Sequence, residues 1–223
     1  MPELPPPLPD DVLARRTALP VKPAAVSLRG ALVELRPLAL DADAPALHAV
    51  SCGAPFALGD RRAPAYDPDA AVWRWMSGGP FRDAGELRGW LAAQEAAPDG
   101  RPFTVHVAGT PVGVANLLAN QPAHLKIELG SIWYGPIAQR TGVSREVAHL
   151  LLAHVFGLGY RRAEWKCNAL NDASRRAALS YGFAFEGIQQ AHYIVKGRNR
   201  DTAWYRMLDH EWAAAGRAGA PTM

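Results

Sequence analysis

The stretch YGPIAQRTGVSREVAHLLL, Tyr134 to Leu152, constrains the fold more than any other part of this 223-residue chain. Just upstream, LKIELGSIWYG alternates, with Ile127, Leu129, Ser131 and Trp133 on one face of a strand and Glu128, Gly130, Ile132 and Tyr134 on the other. Downstream, Val147, Leu150, Leu151, His154 and Val155 recur at helical spacing, the core-facing stripe of a helix from about Gly142 to Gly157. A strand that passes through a short loop directly into such a helix gathers loop N–H groups and the positive helix end at one point. That point suits an anion, most naturally a phosphate. An ordinary strand-to-helix turn, with Gly for the bend and Ser as a cap, has the same look without any ligand. No GK[ST] follows and there is no GxGxxG, so a triphosphatase loop and a dinucleotide fingerprint are excluded.

The rest of the chain alternates between periods. Residues 30–38 read as a strand ending at Pro37, 41–50 and 83–97 as helices, and 103–107 with 112–118 as a hairpin about Gly109-Thr110-Pro111. Residues 162–168 read as a strand, 173–181 as a helix, 183–195 as a strand region and 202–209 as a last strand, with a turn at 196–199 between them. The expected fold class is α+β, helices around one sheet. Seven of the nineteen prolines fall within residues 1–25, which predicts a flexible or polyproline arm. Residues 213–223 read as a flexible tail. The long, aromatic-containing stretch 51–80 predicts a lid or substrate loop with one helical turn. Within it, Tyr66, Trp73, Trp75 and Phe81 are candidates for an acceptor pocket, although Trp residues also serve as packed cover for a core.

Composition removes several function classes. With 49% hydrophobic residues, 20% charged residues and no apolar run near the roughly 20 needed to cross a bilayer, no membrane partner is expected. The amino-terminal residues lack a secretory pattern, so the expectation is cytoplasmic. Cys52 and Cys167 show no metal-ligand spacing, and no metal is expected. A net charge of +3 with scattered Arg pairs argues against nucleic acid.

A second motif settles the direction. CNALNDASRRAALSYGF, Cys167 to Phe183, places Asn171 and Ser174 at a helix start, where both also serve as local caps. A strand precedes it, Gly182-Phe183 follows, and the anion loop lies some 30 residues upstream. In that order, Gln139-x-x-Gly142-x-Ser144 and NDASRRAALSYGFAFEG resemble the pyrophosphate loop and the N-x-x-S…GF-x-x-EG segment of the GCN5-related N-acetyltransferases. Within that superfamily the chain resembles the ribosomal-protein N-terminal acetyltransferase (RimJ/RimL-like) branch. GRNRDTAWYRMLDHEW is similar to the terminal strands of one bacterial and fungal branch of that superfamily. The resemblance covers about residues 26–212 and implies a single α/β/α domain, its mixed, largely antiparallel sheet splayed at the cofactor site.

The resemblance further implies acetyl-CoA as cofactor and an amine-bearing acceptor, a protein N-terminus or a small molecule. Loop residues Gln139, Arg140, Thr141, Gly142, Val143 and Ser144 would hold the diphosphate. The main chain of Ile132, Trp133 and Tyr134 would pair with pantetheine, an N–H near Trp133 stabilising the oxyanion. Asn171 would bond the cofactor, Glu128 would act as general base or orient the amine, and Ser174 would donate toward the thiolate. Two departures stand out: Ser144 replaces the usual Gly or Ala, and Ala178 stands where some relatives carry a Tyr acid. They motivate the alternative of a non-catalytic acyl-CoA-binding or interaction module. His106, His124 and His192 are alternative bases, and the 204–212 end or the 51–80 loop offers a homodimer surface.

Overall fold

The computed structural model describes residues 3–216. Its helices are α1 (Asp10–Ala18), α2 (Leu40–Ala49), α3 (Ala84–Ala96), α4 (Val143–Gly157), α5 (Asp172–Tyr181) and α6 (Asp209–Ala214). Its strands are β1 (Leu28–Arg29), β2 (Glu34–Pro37), β3 (Phe56–Leu58), β4 (Arg61–Ala63), β5 (Arg101–Val107), β6 (Thr110–Gln121), β7 (Lys126–Tyr134), β8 (Arg162–Asn168), β9 (Ala184–Val195) and β10 (Arg198–Leu208). Eight of them form one sheet in the order β1-β2-β5-β6-β7-β8-β10-β9, and β3 and β4 form a separate hairpin. Every pairing in the large sheet is antiparallel except β7 with β8. The fold is therefore α+β, with a mixed, largely antiparallel sheet.

The parallel pair arises because α4 carries the chain back across the sheet before β8 begins. Val143, Val147, Leu151 and Val155 of α4 are buried together with Ile127 and Leu129 of β7 and with Ala178 and Tyr181 of α5. A second apolar cluster joins Leu47 of α2, Leu87 and Leu91 of α3, Val114 of β6, Trp73 and Trp133. The sheet thus lies between two helical layers. Trp73 centres the second cluster, 4.8 Å from the Trp133 ring and 4.9 Å from Phe81, with its indole N–H donating to the Ser51 carbonyl at 3.0 Å.

Glu146, in the first turn of α4, fastens the β1–β2 turn to this frame. Its carboxylate accepts main-chain N–H bonds from Ala31 at 2.8 Å, Leu32 at 2.7 Å and Val33 at 2.9 Å. A Glu146→Gln substitution turns one acceptor oxygen into a donor facing donors. Thermal unfolding is expected to show a loss of about 1–3 kcal/mol, with no change in the far-ultraviolet spectrum.

Three sequence expectations are corrected. The arm at 1–25 contains α1: its prolines stop at Pro9 and resume at Pro20, leaving DDVLARRTA free to form helix. The arm also rests on the domain, with Arg16 donating to the Ala123 carbonyl at 2.8 Å and Asn120 donating to Pro20 and Val21. At the other end, residues 209–214 form α6, whose start is capped by Glu211 accepting from the Leu208 amide at 2.9 Å; the tail from 217 on lies outside the described residues. Finally, β7 does not keep one alternation. Ser131 takes φ +48°, and the register with β6 shifts between Val114 and Asn116. Ile127 and Leu129 face the α4 side, Trp133 beyond the bulge packs in the opposite cluster, and Ile132 and Tyr134 take over the α4 side.

Candidate active site

The bulge and the parallel pair together open the sheet. β7 and β8 pair only from Lys126 to Glu128 with Arg162 to Glu164, and then separate. Asn116 donates to the Ser131 carbonyl at 3.0 Å, and the Ser131 hydroxyl donates to Gln94 at 3.0 Å, which fixes the distorted segment. Gly113 lets the neighbouring strand approach, since a Cβ there would stand 2.3 Å from the Trp133 carbonyl oxygen. Past Glu128, the β8-facing main-chain groups of β7 have no strand partner.

A cavity of about 410 Å³ occupies this opening. Glu128, Gly130, Ser131 and Ile132 line it from β7; Trp165, Lys166, Cys167 and Asn168 from β8; Asn171 and Ser174 from α5. Trp75, Met76 and Ser77 close one side, and Tyr193, Val195 and Arg200 of the β9–β10 hairpin close the other. The hairpin tip is tied across by Lys196, whose ammonium donates to the Trp73 carbonyl at 2.7 Å.

Glu128 is buried, 7% exposed, and Lys166 Nζ lies 2.8 Å from its Oε2. The same ammonium sits 3.9 Å from the centre of the Trp204 ring and 3.5 Å from Glu164. Burial pushes the Glu128 carboxyl up from the ordinary carboxylate range, against the pull of Lys166. Across the opening, the Ser174 hydroxyl accepts from the Trp165 indole at 3.0 Å and bonds the Cys167 thiol, whose pKa burial raises and this bond lowers. Asn171 is the N-cap of α5: its Oδ1 accepts from the Ser174 amide at 3.1 Å, and its NH₂ has no partner among the described residues. The capping reading and a ligand-facing amide thus coexist on one side chain.

The strand-to-helix loop divides its labour. Gln139 is committed: its side chain donates to Ala71 at 3.0 Å and Tyr134 at 2.9 Å, and its amide donates to Pro136. Val143 is buried, and its amide donates to the Thr141 hydroxyl at 3.3 Å. The amides of Arg140, Thr141, Gly142 and Ser144 have no partner among the described residues. Gly142 reaches φ +89° at the helix N-cap, a conformation that glycine takes without strain. The donor set is neutral main chain backed by a helix dipole, which fits a diphosphate. Gln139 and Val143 shape this loop rather than donate from it. The Ser144 hydroxyl bonds Tyr181 and ties α4 to α5.

Other expected site residues lie elsewhere. Of the four aromatics, Trp75 lines the cavity. Trp73 and Phe81 belong to the second core cluster, and the Tyr66 hydroxyl donates to the Val50 carbonyl at 2.9 Å. Trp73 packs inward because residues 69–73 coil into a π-type turn that drives it into the core. Ile132 lines the cavity, while the Trp133 and Tyr134 side chains do not. None of His106, His124 and His192 lines it. Lys166, Arg200 and Tyr193 are new to the site, brought in by strand register. No group of three metal-ligating side chains occurs among the described residues, and none of their helices is long and apolar enough to cross a membrane.

An unpaired strand edge on β7 beside a buried carboxylate, with a loop of free amides at the start of α4 that would suit a diphosphate, is the plan of an acyl-transfer enzyme. Comparison with known proteins agrees. Residues 33–184 match the acetyltransferase (GNAT) domain family, and the chain belongs to that family. It is an acyltransferase, and acetyl-CoA is the cofactor of its family. A GCN5-related N-acetyltransferase from Brucella melitensis is 36% identical over 86% of this chain and 82% of its own, with a TM-score of 0.76. A probable GNAT-family acetyltransferase from Chromobacterium violaceum is 32% identical over 96% of this chain and 100% of its own, with a TM-score of 0.78. The fold alone is shared with a Salmonella typhimurium acetyltransferase that modifies the N-terminal serine of ribosomal protein L7/L12. That protein is 19% identical over 82% of this chain and 99% of its own, at TM-score 0.67. No curated protein matches the chain.

Proposed function

We propose that this protein acetylates a primary amine, at a protein N-terminus or on a small molecule, with acetyl-CoA as donor. One observation carries the reading: a single cavity joins Glu128 on one side of the splayed strands to Asn171 and Ser174 on the other. The amides of Arg140, Thr141, Gly142 and Ser144 would hold the diphosphate, and the open edge of β7 from Ile132 would hold the pantetheine. When bound, the cofactor supplies an activated thioester. The chain's own groups do the rest.

Glu128 draws the ammonium of the acceptor into place and takes up its proton, directly or through water, since an alkyl ammonium titrates near ~10. The neutral amine would form the C–N bond as the C–S bond breaks, and the proton that the new amide nitrogen sheds would end on the departing sulfur. Ser174, whose oxygen already accepts from Trp165, turns its proton toward the departing sulfur. The fold shared with an N-terminal serine acetyltransferase supports an α-amine as acceptor.

Calorimetry with CoA and amine-dependent thiol release test this reading. Micromolar CoA binding is expected, with thiol release from at least one amine. Ser174→Ala is expected to lower kcat by about 3- to 10-fold without loss of CoA affinity, because positioning supplies most of the rate. Tight CoA binding with no thiol release from any amine would instead mark a binding module.

A further inference from the structure

The charged residues lining the cavity are Glu128, Lys166 and Arg200. Lys166 pairs with Glu128 at 2.8 Å, and the Arg200 charge also acts on that carboxylate from further off, so among the lining residues two cations face one anion. Other charges on the surrounding strands are paired. Lys126 and Arg162 hold Glu164, Arg162 also holds Glu186, and Arg206 holds Glu211. The nearby Asp201 carboxylate accepts from the Ala191 amide and from Asn199. Arg200 has no hydrogen bond and no carboxylate partner among the described residues, and its Nε is buried. It is nonetheless held in place: it stands opposite Tyr193 across the β9–β10 pair, its guanidinium 5.5 Å from the Tyr193 ring centre.

Strand alternation puts Arg200 on the acceptor side. Thr202 and Trp204, which follow it at alternate positions, pair with Asn168 and Lys166, so Arg200 shares the face of Lys166 rather than that of α4 and α5. A partly desolvated guanidinium without an anion is costly, and its planar fork matches a carboxylate. A simple alkyl ammonium would meet Glu128 here but leave Arg200 without an anion, whereas an acceptor that also carries a carboxylate would answer both charges.

We infer that the acceptor carries a carboxylate near its reactive amine, and that Arg200 receives it. This rests on the acyl-transfer reading of the cavity and narrows its substrate class to amino acids or to peptides with an acidic residue close to the N-terminus. The unpaired guanidinium aimed at the amine's path disfavours polyamines and plain alkylamines.

The test uses the full chain loaded with CoA or acetyl-CoA. The probes are glycine, β-alanine, 4-aminobutyrate and an Ala-Asp dipeptide amide, each beside its neutral counterpart: the free acids' amides, and Ala-Asn dipeptide amide. Thiol release and calorimetric binding to the CoA complex are both read. At least one carboxylate is expected to be preferred over its neutral counterpart by roughly 10- to 100-fold. The free acids and the dipeptide distinguish the two sources of carboxylate. Arg200→Met is expected to bring that ratio to about one, and Arg200→Lys to restore part of it. Thiol release without acid-over-neutral preference in the wild type would overturn the inference while keeping acyl transfer. Carboxylate binding that disappears in Arg200→Met, with no thiol release from any amine, would keep the subsite and overturn acyl transfer. A tenfold loss of CoA affinity in Arg200→Met would assign the residue to the cofactor and also overturn the inference.

Discussion

Glu128→Gln is expected to lower kcat/KM for amine acetylation by on the order of 100-fold while leaving CoA affinity within about threefold. The substitution keeps the size of the side chain and removes both its charge and its basicity. The carboxylate is buried in the opening between β7 and β8, which none of the loop residues 139–144 lines, so its loss is expected to fall on the amine and not on the diphosphate. The pH profile gives a second readout. Burial raises the Glu128 pKa, with Lys166 working against it, and the ionised form is the active one. Activity should therefore fall as pH drops through a value above the ordinary carboxylate range, and the variant should lack that acid limb. Unchanged kcat/KM and an unchanged profile in Glu128→Gln would remove the residue from the mechanism.

Trp73→Ala is expected to destabilise the fold by about 3–5 kcal/mol, seen as a melting midpoint lower by roughly 10 °C or more. Trp73 is 1% exposed, packs edge-on to Phe81 and Trp90 and lies against Trp133. Alanine would leave a void that rings held from α3 and β7 cannot fill, and would strand the Ser51 carbonyl without its donor. The damage also reaches the site, because Trp75 and Met76 follow directly and line the cavity. Trp75→Ala, which removes a partly buried side chain from the cavity wall, should by contrast change acceptor KM more than stability. Equal losses of stability in the two variants would contradict the inward packing of Trp73.

What the sequence made legible was local. The apolar stripe of α4, the bend through Gly142 and the cap at Asn171 each depend on residues within a turn of one another, and they lie where the periodicity placed them. The alternation of β7 misled past Ser131, because a bulge of one residue exchanges the faces and carries no strong sequence mark. Trp73 and Trp75 could not be told apart, since a π-type turn decides which of the two points inward. Lys166, Arg200 and Tyr193 were invisible as site residues: their meeting depends on the register of β8, β10 and β9, a contact between segments distant in the chain. Helix α1 was missed because prolines were weighed over a segment, whereas their positions, outside Asp10–Ala18, decide whether helix forms.

The Lys196 ammonium on the Trp73 carbonyl spans the entrance like a latch between two separately rooted segments. With it fastened, the hairpin tip and the segment that leads into Trp75 are joined at that point, so the two banks of the cavity cannot part without losing this bond.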